Sequence, residues 1–394
     1  MDASWLTGPQ AREAIADAQG LVGGDPLADA AALRRRHPEL TPDHTSQALA
    51  QASLRRLAAE RYGITEPLLW TRDGLEQATR PEVAAHRAAQ LVRAGARRVL
   101  DLTAGLGSDT RAMLAAGLQV TAIERDPVIA ELLRANAPGA DILCADAMDV
   151  VEGLVRRLDP HDVVFVDPAR RSPDAARQAS GRANPERDPE RWSPRWSQIM
   201  AIGHPRVAAK TAPGFEPPAG WTAEWISVHR TVVECFTTSW PIAPGRSRAT
   251  VLDGSGAHTL TAGAVSDEIA PVGAWLFEPD PAVVRAQAID ALRSHGLRRI
   301  DATGVWLTAD DAAPDAARAF VRGFRLVAEL TGSSAQQRRH LDDLGIDRLT
   351  VKSRDVHIAP ETALRELRRR EGVGHVLILA RVNGRTGRWI ATSD

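Results

Sequence analysis

Three apolar segments each run into an acid, and their order leaves few folds open. Arg98-Val99-Leu100-Asp101 leads into Leu102-Thr103-Ala104-Gly105-Leu106-Gly107-Ser108-Asp109-Thr110. That is a short strand, a glycine turn and the start of a helix. Val120-Thr121-Ala122-Ile123-Glu124 is a second strand ending in an acid. Val163-Val164-Phe165-Val166-Asp167 is a third, followed by Pro168-Ala169-Arg170-Arg171. Strands and helical patterns alternate from Arg98 to about Pro213, which predicts an α/β doubly wound, Rossmann-like sheet. In such a sheet the ligand sits outside the carboxyl ends of the strands, where these acids gather.

The pattern favours S-adenosylmethionine over a dinucleotide. Gly105 and Gly107 have access to backbone angles closed to other residues and let a ligand approach the main chain. A dinucleotide site places a third glycine three residues after the second, but here Thr110 stands there, preceded by Asp109. An acid at a helix N-terminus opposes a pyrophosphate. Asp101, before the glycines, suits a cationic amino-acid moiety, reached directly or through water. Glu124 is placed to accept two ribose hydroxyls, and Asp146 to take an adenine amino group. The expected cofactor cradle is Asp101, Thr103, Gly105, Gly107, Asp109, Thr110, Glu124, Arg125, Asp146 and Ala147. The alternative, a plain strand-to-helix corner at the glycines, does not account for acids at three successive strand ends.

The third strand end carries the expected chemistry. Nucleic-acid nitrogen methyltransferases often end the fourth strand in Asp-Pro-Pro or Asn-Pro-Pro plus an aromatic. Here Asp167 and Pro168 keep the acid and first proline, and Arg170 replaces the aromatic. Asp167 is expected to accept hydrogen bonds from an exocyclic amine, and Arg170 to stack on a base or grip a phosphate. A strand terminus with a helix cap is the plainer reading. Cys144 does not stand where a carbon-methylating nucleophile is expected. From Ser172 to Pro205 the chain is polar, rich in Arg and Pro, and carries Trp192 and Trp196. Segments this long are lids, binding segments or disordered. The tryptophans either stack on an unpaired base or pin a surface loop.

Composition bounds the rest. The 394 residues are enough for two or three domains, and a net charge of −1 excludes a wholly basic nucleic-acid binder. Only Lys210 and Lys352 are lysines. Cys144 and Cys235 read as buried thiols of a cytosolic protein, so the expected location is cytoplasmic. No signal peptide, bilayer-length apolar run or metal-ligand spacing is visible, so neither membrane nor metal is expected. Residues 1–78 form a helical region in which Leu54, Leu57 and Ala58 share a face. Residues 79–245 hold the cofactor domain, where Thr79 caps a helix with Ala84, Ala88, Leu91 and Val92 inward. Residues 246–317 connect, with one helix from Pro281 to His295. Residues 318–394 form a small α/β domain, carrying 15 Lys and Arg against 9 Asp and Glu. That balance suits RNA phosphates, with Arg365, Arg368 and Arg369 as candidate contacts. An ordinary solvated helix face is the other reading.

The Asp101–Thr110 run, with Asp167-Pro168-Ala169-Arg170-Arg171, resembles bacterial class I S-adenosylmethionine-dependent methyltransferases that carry a C-terminal THUMP-like domain. Trp275-Leu276-Phe277-Glu278-Pro279-Asp280-Pro281-Ala282-Val283-Val284-Arg285-Ala286 looks like the start of that family's C-terminal region. The first motif is also similar to trimethylguanosine synthases, from which Ala169-Arg170 departs. The resemblance implies an RNA-binding C-terminal domain. The expected activity is methylation of a base nitrogen in RNA, tRNA or rRNA. The alternatives are a small-molecule or protein methyltransferase, and a non-catalytic RNA-binding protein that retains the cofactor fold.

Overall fold

The computed structural model describes residues 1–170 and 186–393. Arg171 and the first part of the Ser172–Pro205 stretch lie outside the described residues. The chain divides into two units. The first holds Met1–Ala212, Pro218–Trp221 and Phe236–Ala243; the second holds Pro213–Pro217, Thr222–Cys235 and Pro244–Asp394.

The first unit begins with helices α1 (Ala3–Thr7), α2 (Pro9–Gln19), α3 (Pro26–Arg36), α4 (Pro42–Tyr62), α5 (Arg72–Gln77) and α6 (Pro81–Arg93). Asp25 and Thr41 cap α3 and α4 with side-chain oxygens, each followed by a proline at the first helical position. The buried face of α4 keeps Ala58 of the face expected from sequence, with Leu54 half-buried against the core. That face is Thr45, Ala48, Gln51, Ala52, Arg55 and Ala58, while Leu57 is 43 % exposed. Small residues let the neighbouring chain come close, and the two long polar side chains tie it down. Gln51 exchanges two hydrogen bonds with the Trp70 backbone, at 2.6 and 2.9 Å, and Arg55 donates to the carbonyls of Leu68 and Pro67. In α6 the cap is Arg80, not Thr79, and Val92 faces solvent while Arg87 is buried. Both departures trace to charge, because Thr79 and Arg87 are drawn inward to Asp109.

The sheet of this unit contains β1 (Arg98–Asp101), β2 (Gln119–Glu124), β3 (Asp141–Cys144), β4 (Val163–Val166) and β5 (Val207–Thr211). They lie in the order β3-β2-β1-β4-β5, all parallel, with Val99 opposite both Val120 and Val163. Helices α7 (Ser108–Ala115), α8 (Pro127–Asn136) and α9 (Ala147–Val155) supply the crossovers, and α10 (Trp196–Met200) precedes β5. β4 is buried throughout, as an unbroken apolar run between helical layers should be. β3 ends this order and is largely exposed, so Cys144 is exposed rather than buried; Cys235 is buried as expected.

The second unit contains β6 (Thr222–Val228), most of β7 (Thr231–Thr238), β8 (Ser247–Asp253) and β9 (Gly256–Thr261). β6 and β8 are parallel, and β8 and β9 form an antiparallel hairpin that turns at Asp253–Gly256. An eight-stranded sheet follows, built from β10 (Trp275–Pro279), β11 (Arg298–Arg299), β12 (Leu307–Ala309), β13 (Val321–Glu329), β14 (Arg348–Ser353), β15 (Arg370–Glu371), β16 (His375–Val382) and β17 (Arg385–Ser393). Its order is β11-β12-β10-β13-β17-β16-β14-β15. Helices α11 (Pro281–Arg285), α12 (Asp315–Arg318), α13 (Ser334–Asp343) and α14 (Pro360–Leu367) complete the unit. The single helix expected from Pro281 to His295 is broken. After α11, Gln287 takes φ 54°, and a 3-10 turn from Ile289 to His295 follows. Val283, Ala288 and Leu292 are buried all the same.

Candidate functional site

The carboxyl ends of β1, β2, β4 and β5 are tied together by side-chain hydrogen bonds in the first unit, on the side of the sheet where a ligand crevice is expected. Gly105 and Gly107 both take positive φ there, 54° and 89°. Their roles differ. A side-chain carbon on Gly107 would meet Leu133 of α8 at 2.6 Å, whereas one on Gly105 would meet nothing within 4 Å. Gly107 therefore serves helix packing, whereas the backbone of Gly105 borders open space.

Glu124 braces this loop. Its Oε2 accepts the Gly105 N–H at 3.1 Å and its Oε1 the Asp126 N–H at 2.9 Å. Each oxygen keeps a lone pair, and the residue is half-buried. Asp126 caps α8 through the Val128 and Ile129 N–H groups. Asp146 caps α9 through Met148 at 2.9 Å and remains exposed. Arg125 is exposed and lies 3.5 Å from Ser193 Oγ; Ala147 begins α9.

Asp101, Asp109 and Thr110 are placed differently. All are buried beneath the loop rather than lining it. Asp101 accepts Thr110 Oγ1 at 2.7 Å and the Thr103 N–H at 3.3 Å. Burial pushes its carboxyl up to about 7; Asp109 and Asp167 add to the rise, and the Thr110 and Thr103 hydrogen bonds oppose it. Asp109 accepts from Thr79 at 2.9 Å and from Arg87. Burial raises its carboxyl, but the Arg87 and Lys210 charges and the Thr79 bond outweigh burial and hold it below the usual range. The Arg87 guanidinium also lies over the rings of Phe165 and Phe236, at 5.4 and 5.9 Å.

Asp167 follows β4, and its N–H donates to Thr103 Oγ1 at 2.6 Å. Lys210, on β5, donates to Asp167 Oδ2 at 2.6 Å and to Thr79 Oγ1 at 2.9 Å. Asp167 Oδ1 has no hydrogen-bond partner among the described residues, and the side chain is 28 % exposed. Pro168 is buried and Arg170 half-buried. Ala169 forms an antiparallel bridge to Ser193, and the Arg170 carbonyl accepts from Glu186. Residues 186–196 are thereby zipped to the end of β4. Trp192 is buried, with its indole N–H on the Glu186 carbonyl, and packs against Trp196, which packs in turn against Trp221. Of the two readings, Trp192 takes the anchoring one.

Sequence reasoning missed Thr79, Arg87, Lys210 and Asn136. Asn136 bonds Leu69 at both its N–H and carbonyl and also reaches the Leu106 carbonyl, tying the helical region to the glycine loop. The strand-end rule that picked out Asp101, Glu124 and Asp167 applies equally to β5 and points to Lys210. The others carried no local signal.

Residues 71–180 match a family described as "Putative SAM-dependent methyltransferase", and residues 321–393 match one described as "THUMP domain-like". The chain therefore carries an S-adenosylmethionine-dependent methyltransferase domain and, toward its C-terminal end, a THUMP-like domain. A crystal structure of a putative methyltransferase from Porphyromonas gingivalis shares its fold, at 18 % identity and a TM-score of 0.68, over 99 % of this chain and 96 % of that one. Two more distant likenesses are a SAM-dependent methyltransferase from Neisseria gonorrhoeae (20 % identity, TM-score 0.28, 39 % of this chain and 70 % of that one) and the hMettl16 catalytic domain in complex with MAT2A 3′UTR hairpin 6 (12 %, 0.32, 50 % and 82 %). No curated protein is significantly similar to the chain. Among the described residues, no helix is long and apolar enough to cross a membrane, and no His, Cys, Asp and Glu cluster is placed to hold a metal.

Proposed function

We propose that this methyltransferase acts on a base nitrogen of RNA, either tRNA or rRNA. The observation that carries this reading is the Asp167 carboxylate. One oxygen is held by Lys210, the other has no partner among the described residues, and the group borders the crevice of Gly105 and Glu124. An acceptor oxygen fixed there suits a nitrogen that carries N–H and must be aimed rather than activated, because methyl transfer depends mainly on alignment. The THUMP-like match and the basic balance of residues 318–394 support RNA as the molecule that brings the nitrogen.

S-adenosylmethionine supplies the methyl group on a cationic sulfur. The residues present fit it. Gly105 offers open backbone, the free lone pairs of Glu124 suit two ribose hydroxyls, and exposed Asp146 suits the adenine amino group. Thr103, Gly107, Asp109 and Thr110 shape the loop, Arg125 and Ala147 flank it, and Asp101 acts from below as a buried negative charge. Asp167, with the backbone fixed by Pro168, orients the acceptor, and Arg170 stacks on or grips the RNA.

The test is transfer of labelled methyl to fractionated RNA from a strain lacking the gene. Label in one RNA class supports the reading and narrows the target. Label confined to protein or small molecules overturns it.

A further inference from the structure

The chain carries 49 Lys and Arg, and all but Lys210 and Lys352 are arginine. Wherever a guanidinium serves, this sequence uses one. An ammonium kept in a slot that leaves its side chain only 11 % exposed is therefore informative. The two groups differ physically. An ammonium is a compact point charge with donors free to turn, whereas a guanidinium spreads its donors in a rigid planar fork.

We propose that Lys210 is a positioning residue for methyl transfer. By occupying Asp167 Oδ2 it turns Oδ1 toward the acceptor and balances the carboxylate charge, so that the site takes a neutral N–H-bearing nitrogen rather than a protonated amine.

This rests on the reading of Asp167 given above and adds the charge state of the acceptor. The hydrogen bonds have one direction. Thr79 gives its hydroxyl hydrogen to Asp109 Oδ2, so its oxygen is left to accept from Lys210. Lys210 is thus fixed between Thr79 and Asp167. Arg87 pairs with Asp109 as Lys210 pairs with Asp167, so acids and cations alternate across α6, α7, β4 and β5. A balanced Asp167 lacks the excess negative charge that would draw in an ammonium. It still accepts a hydrogen bond from an amino group on a base. In the transfer, the nitrogen lone pair forms the N–C bond while the S–C bond breaks and sulfur keeps its electron pair. The nitrogen then releases one proton to water. A protonated amine has no lone pair to begin this step.

The experiment uses full-length Lys210→Met and Lys210→Arg. It measures calorimetric binding of S-adenosylhomocysteine, and labelled methyl transfer to the RNA, protein and small-molecule fractions of one extract. Both variants are expected to bind S-adenosylhomocysteine within about threefold of wild type while kcat falls about 100-fold and KM changes by less than about fivefold. Arginine is expected to fail as a rescue. Wild-type kcat in Lys210→Arg would show that any cation suffices, and wild-type kcat in Lys210→Met that none is needed; either overturns the proposal. Should Lys210→Met not fold, Lys210→Gln keeps N–H donors without the charge and carries the same expectation. Label in wild type that enters a protein or small molecule overturns the RNA reading alone, and the Lys210 variants are then judged on that acceptor. No transfer to any fraction overturns both.

Discussion

Each lysine of this chain meets a carboxylate near a strand end, and the two carboxylates stand in opposite conditions. Glu278, on β10, is buried and saturated. Lys352 Nζ holds Oε2 at 3.0 Å, Arg354 Nε holds Oε1 at 3.1 Å, and Arg230 approaches at 3.9 Å. Burial pushes its carboxyl up, but Lys352, then Arg354 and Arg230, outweigh burial and hold it below the ordinary value. Asp167 has one cation on one oxygen, its other oxygen has no hydrogen-bond partner among the described residues, and its side chain is 28 % exposed. A carboxylate with every oxygen engaged is a stitch between elements, whereas one left half-engaged at a sheet's carboxyl end is open to a ligand. Counting ion pairs would rank the two alike; following each oxygen separates them.

The sharpest test of this contrast is to delete each acid. Asp167→Ala is expected to lower kcat by about 100- to 1000-fold through lost alignment of the acceptor. S-adenosylhomocysteine binding, read by calorimetry, should survive. Turnover within about threefold of wild type would remove Asp167 from the mechanism. Glu278→Ala should do the reverse. It removes the buried acid of a charge cluster, leaves its cations unpaired, and is expected to destabilise the second unit by about 1–3 kcal/mol, less than a fully buried pair because Lys352 and Arg354 are partly exposed. Denaturant unfolding measures this loss. A Glu278→Ala protein that unfolds like wild type but no longer transfers methyl would invert the comparison.

Asp101 gives a smaller effect with a definite sign. Its carboxyl is raised from 3.8 to about 7, so between those values the folded protein holds a proton that the unfolded chain has lost. Its contribution to stability therefore falls as pH rises through that window. A cation entering the crevice favours the ionised form, so cofactor binding below about pH 7 releases a proton. The expected outcome is an S-adenosylmethionine Kd that tightens by up to about tenfold per unit as pH rises toward 7, then levels. Calorimetry in buffers of different ionisation enthalpy reads the proton directly. Asp101→Asn should flatten the profile, and an unchanged profile would assign the proton to another group.

The sheet was legible because it rests on local rules. Apolar runs predicted the strands, and of the acids that end them Glu124 and Asp167 are half-buried whereas Asp101 is fully buried. What escaped was long-range. Nothing near Thr79 or Arg87 in sequence signals that Asp109 will pull them inward, so Thr79 was expected to cap the helix, and Arg87 was not expected beside the buried Ala84, Ala88 and Leu91. Leu57 of α4 misled because that helix packs through small residues and two backbone-binding polar ones. Gln287 lies within a helical pattern and gives no sign that the chain will turn to positive φ there. Cys144 sits in an apolar strand, but its exposure depends on strand order, which the strand's own residues do not encode.

The same distinction between engaged and open groups divides the arginines after α14. All three of Arg365, Arg368 and Arg369 were candidates for RNA contact on sequence. Arg369 is engaged through both terminal nitrogens, while its Nε is buried without a partner among the described residues. Its side chain is 8 % exposed, pairs with Asp342, and donates to the carbonyls of Arg338, Leu367 and Arg368, joining α13 to α14. Arg365 and Arg368 are exposed. Arg369→Ala is therefore expected to cost stability, about 1 kcal/mol, from the partly buried Arg338 and Leu367 carbonyls it leaves unpaired. Arg365→Ala with Arg368→Ala should leave the unfolding midpoint unchanged. If these two touch phosphates, the double change lowers the slope of log Kd for RNA against log salt by up to about two. An unchanged slope would move the RNA contacts to other arginines of the domain. A shifted midpoint would show that exposure there does not mean freedom.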